Sequence, residues 1–255
     1  MLKRSLTALA AGLLASTASA QTTFDIDLLS VSFSPTSLTV APGDSVLWTW
    51  QVGLHNVYTY DPNGAPDVPD GTFVSGAPIN SPGLTFLTTF DDATLDANPR
   101  PGYVYDFACV VHINFNMFAQ IDVERPLEAD AIDVSLLTGG TVNFDLQAGP
   151  AHAGELYFML GSLSGTSPGT PFGAQLVPLN VDAYTLDLLA APGTIISGQL
   201  GFLDAAGEAG ASLTVPTGLD PALVGTTANH AYITIDPITT AVTSASNAFP
   251  LTLGV

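Results

Sequence analysis

Past residue 20, apolar and polar positions alternate in short runs and almost nowhere repeat at the helical period. The runs are built from Val, Ile, Thr, Phe, Tyr and Leu, and 24 Gly and 19 Pro punctuate the chain. A period of two sends successive side chains to opposite faces, so these runs read as β-strands between turns. In the first half the pattern predicts strands at 26–33, 37–41, 45–51, 55–60, 84–90, 102–109 and 117–124. In the second half it predicts 131–137, 141–147, 154–161, 182–189, 195–203, 209–215, 230–236 and 249–254. Fifteen strands are too many for one small sandwich, so the expectation is an all-β chain of two β-sandwich-like domains. Residues 125–130, short, polar and containing Pro126, are the expected linker. They would separate a domain at 21–124 from a β-rich domain at 131–255.

Residues 1–20 read differently. Lys3 and Arg4 precede an apolar run from Leu6 to Leu14, and Ala18-Ser19-Ala20 gives a small-x-small cleavage pattern before Gln21. Charge, run and cleavage site in that order are a secretory signal peptide, and the run is too short to span a bilayer. The mature chain is therefore expected outside the cytoplasm, periplasmic or extracellular or at the cell surface, with no transmembrane segment after cleavage.

Charge then narrows the partners. Beyond residue 20 only Arg100 and Arg125 stand against all 23 acids, a net of −21. A polyanion cannot neutralise phosphate, which excludes nucleic acid, and an anionic membrane surface would repel it. Hydrophobic residues make up 47% of the chain, enough for a real core despite that charge. Cysteine usage is odd for an exported protein, where thiols pair as disulfides: Cys109 is alone. One unpaired thiol there needs a reason, such as metal ligation, intermolecular pairing or a reactive role.

The stretch Gly102-Tyr103-Val104-Tyr105-Asp106-Phe107-Ala108-Cys109-Val110-Val111-His112-Ile113-Asn114-Phe115-Asn116-Met117 suggests the reason. Tyr103, Tyr105, Phe107 and Cys109 share one parity, so an aromatic core face delivers the thiol at the end of a strand. The loop that follows carries His at +3 and Met at +8. Two His and one Cys with a weak axial Met form the electron-transfer copper site, because thiolate and imidazole bind copper strongly and a thioether is a soft further donor. The loop supplies three of these ligands. His55 is the candidate for the fourth, just after the alternating strand Val46-Leu47-Trp48-Thr49-Trp50, and Asn56 beside it can brace the ligand loop by hydrogen bonding.

Residues 24–124 resemble a cupredoxin of the plastocyanin and pseudoazurin group. The resemblance rests on Phe33-Ser34-Pro35, Leu38-Thr39-Val40, Pro42-Gly43-Asp44-Ser45-Val46-Leu47-Trp48, His55-Asn56-Val57, Phe73-Val74-Ser75-Gly76, Thr89-Phe90, Pro101-Gly102-Tyr103 and the Cys109–Met117 loop. It implies a Greek-key β-sandwich holding one type 1 copper, with His55, Cys109, His112 and Met117 on the metal-ligand positions and Asn56 on the bracing Asn. Val111, Asn116 and Ala108 stand where plastocyanins have Pro, Gly and Tyr. Val110, Val111, Ile113 and Phe115 are expected to form a water-excluding rim around the imidazole of His112.

Enzymatic chemistry is not expected. Copper oxidases need further His-rich centres, and only His152 and His230 remain, read as structural or solvent-facing. No G-x-S-x-G elbow, H-E-x-x-H or P-loop occurs. Asp61, Asp67 and Asp70 lack EF-hand spacing and read as a solvated loop rather than a calcium site. Pieces of the second half, such as Gly201-Phe202-Leu203-Asp204-Ala205-Ala206-Gly207, resemble a C-terminal β-rich module of secreted bacterial proteins with no known activity. The expected function is electron transfer by Cu(I)/Cu(II) cycling, with a basic redox protein as partner. Two alternatives stay open: copper binding or delivery without electron transfer, and an adhesion or structural protein with a vestigial cupredoxin fold.

Overall fold

The computed structural model describes residues 21–255, so the signal-peptide reading of residues 1–20 lies outside the described residues. The first half contains β1 (Thr23–Leu28), β2 (Phe33–Ser34), β3 (Ser37–Val40), β4 (Ser45–Trp50), β5 (Tyr58–Tyr60) and β6 (Pro69–Val74). It continues with β7 (Thr85–Thr89), the short helix α1 (Asp92–Ala97), β8 (Val104–Ala108) and β9 (Phe118–Val123). They form two sheets, in the orders β2-β1-β4-β7 and β3-β9-β8-β5-β6. β1 runs parallel to β4 and β3 parallel to β9, while the other pairings are antiparallel, giving the Greek-key sandwich expected from the sequence.

Alternation fixes which side chains fill this sandwich. Val46, Trp48 and Trp50 of β4 point inward, as do Tyr105 and Phe107 of β8 and Ile121 and Val123 of β9. Trp48 sits among Phe73, Phe86 and Phe107 at ring-centroid distances of 5.1, 5.4 and 5.8 Å. A packed aromatic centre of this kind gives the end of β8 a rigid base.

The second half contains β10 (Leu127–Ala129), β11 (Asp133–Ser135), β12 (Gly140–Gln147), β13 (Leu156–Ser162), β14 (Thr170–Phe172) and β15 (Gln175–Val177). After helix α2 (Ala183–Ala190) come β16 (Ile196–Ser197), β17 (Leu200–Phe202), β18 (Glu208–Val215), β19 (Thr227–Ile235), β20 (Val242–Ala245) and β21 (Phe249–Gly254). One sheet is β10-β12-β18-β16, the other β11-β21-β19-β13-β17 with β20 added on β19, and β14 and β15 form a separate hairpin.

Residues 182–189, expected as a strand, are helical and require correction. Asp182 accepts from the Thr185 backbone N–H and the Thr185 side chain closes back on the Asp182 backbone, a capping box. Its buried members, Thr185 and Leu188, are three residues apart, the helical period. Helix α1 was equally unsignalled, although Asp91 caps it through the Thr94 N–H. β6 and the β14–β15 hairpin contain Pro69, Gly71 and Pro171, which read as turn residues but are tolerated on edge strands.

Residues 125–130 are built into the fold. Leu127–Ala129 pairs with β12, and the Asn247 side chain hydrogen-bonds both the N–H and the C=O of Leu127 at 2.9 Å. Arg125 is buried, with Asp96 at 2.8 Å, Asp92 at 2.9 Å and its guanidinium 4.9 Å from the Tyr103 ring centre. Tyr103 in turn packs edge-on against Phe249, so one apolar cluster runs through both halves.

Candidate metal centre

The predicted ligands come from separate parts of the chain. After Trp50 the backbone leaves β4, turns at Gly53 (φ +100°), and reaches His55. His55 makes a single β-bridge with Ile79, with backbone hydrogen bonds of 3.1 and 2.8 Å in the two directions. The Trp50 indole N–H donates to the His55 carbonyl at 3.0 Å. The ring is fixed too: Nε2 lies 2.7 Å from the Val52 carbonyl, which can only accept. Nε2 therefore carries the hydrogen, and Nδ1 presents a lone pair. Gly53 is needed twice, since a Cβ there would lie 2.7 Å from His55 Nε2 and the positive φ disfavours a side chain.

Cys109 directly follows β8, and residues 110–115 make a 3₁₀ turn. His112 N–H donates to the Cys109 carbonyl at 3.0 Å, Met117 N–H to His112 at 3.2 Å, and Cys109 N–H to Met117 at 3.3 Å. These three bonds tie the predicted loop ligands into one compact ring. Asn116 has φ +57°, which Asn tolerates better than most residues. Asn56 bridges the His55 segment and this loop. Its Oδ1 accepts from Val110 N–H at 3.0 Å, and its amide donates to the Gly76 carbonyl at 3.3 Å.

The side chains converge. Cys109 Sγ lies 3.6 Å from His55 Nδ1 and 3.5 Å from His112 Nδ1, and the three donor atoms lie within 4.8 Å of one another. Two donors each about 2.0–2.3 Å from one ion, at tetrahedral to trigonal angles, sit roughly 3.5–3.8 Å apart, so the two N–S separations fit a single ion. Met117 is buried directly after the loop. Burial pushes the His55 imidazole below its ordinary pKa, partly offset by the Val52 carbonyl, which keeps it neutral and free to bind metal. Burial likewise pushes the Cys109 thiol up, while the backbone N–H groups of Asn56, Val111 and His112 pull it down by hydrogen bonding to sulfur. Soft sulfur and two imidazoles are a donor set for copper.

Residues 20–124 match the sequence profile of "Copper binding proteins, plastocyanin/azurin family". The matched residues form a cupredoxin domain. It is a blue copper domain whose donor set fits one copper. Among solved structures, the plastocyanin of Dryopteris crassirhizoma is 22% identical over 40% of this chain and 100% of its own, with a TM-score of 0.30. A purple cupredoxin from Nitrosopumilus maritimus is 24% identical over 39% and 98%, with a TM-score of 0.31. Pseudoazurin from Methylobacterium extorquens AM1 is 26% identical over 40% and 74%, with a TM-score of 0.27. No curated protein matches the chain.

Around the cupredoxin centre the ring of His112 is half-buried, between His55 (centroids 4.8 Å) and Phe115 (6.0 Å). Val110, Val111 and Phe115 are exposed on the same turn, and Ile113 is half-buried. The other singled-out residues lie elsewhere. His230 is enclosed against Phe144, with Nε2 3.0 Å from the Tyr184 hydroxyl, and burial lowers its pKa to about 4. His152 pairs with Glu155 at 2.9 Å. Asp70 is bound to Arg100 and accepts from Thr59 and Thr72, so it is a structural group rather than part of a cation loop. Sequence reasoning missed Gly53, the Val52 carbonyl and the Trp50 indole, which set the orientation of His55. Gly53 alone gave a signal, as a glycine two residues before a ligand.

Proposed function

We propose that this protein is an exported, single-copper electron carrier, with His55, Cys109, His112 and Met117 as its ligands, and not an enzyme. One observation carries the reading. Two imidazole Nδ1 atoms from distant segments stand 3.5 and 3.6 Å from one thiol sulfur, at the end of a rigid sandwich. Bound copper supplies a one-electron couple at this point. The chain's own residues do the rest. The Val52 carbonyl, Trp50 and Asn56 hold the donors in place, so little ligand movement accompanies a change of charge. Val110, Val111, Ile113 and Phe115 exclude water around His112 and offer a partner an apolar contact. The acidic exterior, at −21 beyond residue 20, favours a basic redox partner and makes association salt-dependent. Export is supported by the signal-like residues 1–20, and no helix of the described residues is long and apolar enough to cross a membrane.

The test is addition of Cu(II) to the purified chain, with a visible spectrum. An intense blue thiolate-to-copper band that disappears in Cys109→Ser supports the assignment. Copper uptake without such a band would point instead to binding or delivery, and no uptake to a vestigial fold. A band that survives in Cys109→Ser refutes the ligand set.

A further inference from the structure

The second half holds two apolar clusters, and only one of them lies inside its sandwich. The other lies on the outer face of the sheet containing β13 and β19, where Leu160, Val177, Leu179, Ala231 and Ile233 are buried together. Along β13, Tyr157 and Met159 join the inner core, while Phe158 and Leu160 belong to the outer cluster. Along β19, Tyr232 faces inward and Ile233 and Ile235 outward. A sheet face this apolar needs a cover. The β14–β15 hairpin and α2 provide one, but they do not close over it. A cavity of about 210 Å³ remains between them, lined by Phe158, Ile233 and Ile235 below. Phe172, Val181 and Leu189, each about half exposed, also line it.

Three polar residues reach this lining, and each is already paired. Thr185 Oγ1 donates to the Gly161 carbonyl at 2.6 Å, and Thr170 Oγ1 to Leu179 at 2.7 Å. Asn180 accepts from Gly169 N–H at 3.1 Å and donates to Ser164 and Ser167 at 3.0 and 2.8 Å. These three side chains thus keep no donor free for an occupant, and water gains little by entering. They offer no positive charge either, since residues 127–255 contain 11 acids and no Lys or Arg. Asp182, adjacent to Val181, is held as a carboxylate by the N–H groups of Leu163, Ser164 and Thr185. An anionic ligand such as a fatty acid would meet repulsion and no partner.

We propose that this cavity is a binding site for an uncharged, apolar small molecule about the size of a substituted aromatic ring. Apolar cavities of about 150 Å³ take up benzene, and the space here is larger. Its lining shares no residue with the copper centre.

The test is titration of the copper-loaded chain with toluene, followed by amide chemical shifts. Saturable shifts confined to β13, β19, the β14–β15 hairpin and α2 are expected. Benzoate, the same ring with an anionic group, should bind at least about tenfold more weakly. Val181→Trp and Leu189→Trp, both at half-exposed positions, should each weaken toluene binding about tenfold or more by filling the mouth. Both should leave the visible spectrum intact and the thermal midpoint undiminished. Shifts that scatter or fail to saturate would overturn the proposal, as would equal binding of benzoate or indifference to both substitutions. Concentration-dependent self-association abolished by the same substitutions would also overturn it, assigning the cavity to a second copy of the chain.

Discussion

Replacing Asn56 by Ala removes the brace between the two halves of the copper site without touching a proposed ligand. Two hydrogen bonds are lost: Val110 N–H to Oδ1 at 3.0 Å, and Nδ2 to the Gly76 carbonyl at 3.3 Å. A hydrogen bond contributes roughly 0.5–1.5 kcal/mol net, and an amide left without a partner in a dry site costs about 1–3 kcal/mol. Val110 is itself 37% exposed, so water can partly reach its N–H and the first loss falls low in that range. The bond to Gly76 is long and adds about half a kcal/mol. The expected destabilisation is therefore about 1.5–2.5 kcal/mol, or a fall of about 0.5–1.2 M in the urea midpoint for an m-value of about 2–3 kcal/mol/M. Urea unfolding of the metal-free chain, followed by tryptophan fluorescence, reads this locally, because Trp48 and Trp50 are both buried in this sandwich. Asn114→Ala, at an exposed position on the same loop, is the control and should change nothing. A midpoint for Asn56→Ala within about 0.2 M of the parent, or an equal loss in the control, would refute the reasoning.

Three further predictions follow from the same geometry. Gly53→Ala puts a methyl 2.7 Å from His55 Nε2 at a positive φ; it should cost about 2–3 kcal/mol and weaken copper uptake, and an unchanged copper titration would contradict the role given to the Val52 carbonyl. Arg125→Met keeps the stem against Tyr103 but removes the charge paired with Asp92 and Asp96; it should cost about 1–3 kcal/mol, seen by calorimetry as lost cooperativity between the halves. Glu128 is pushed up to about 7 by burial, so its folded form holds a proton the unfolded chain has released. Its contribution is present at low pH and is lost as pH rises through about 7, whereas His230, lowered to about 4, contributes stability that is lost as pH falls through about 4. Stability curves of Glu128→Gln should therefore fall less than the parent's between about pH 5 and 7, and parallel curves would contradict the assignment.

The copper domain was unusually readable from the chain because its alternation and its chemistry reinforce each other. Tyr105, Phe107 and Cys109 share a parity, and the structure buries all three. Residues 182–189 read as a strand from apolar content alone, whereas the helical signal is in the cap, with Asp182 and Thr185 three residues apart. The strands of the β14–β15 hairpin leave no strand pattern, because Pro171 and Gly173 read as loop. The segment at 125–130 is polar in composition, yet its Arg125 is buried, because Asp92, Asp96 and Tyr103 come from sequence-distant elements to receive it.

What the sequence determined by itself was local and periodic: the strand faces, the spacing of Cys109, His112 and Met117 in one loop, and the lack of positive charge. Long-range closure was decided only in three dimensions. His55 meets Cys109 across 54 residues because β5 pairs with β8 and Asn56 clasps Val110. Its ring turns Nδ1 toward the sulfur because a carbonyl three residues back holds Nε2. The outer apolar cavity has the same origin, since no linear pattern says that a hairpin and a helix will cover a sheet face incompletely. Periodicity specifies which way a side chain points, and packing specifies what it finds there.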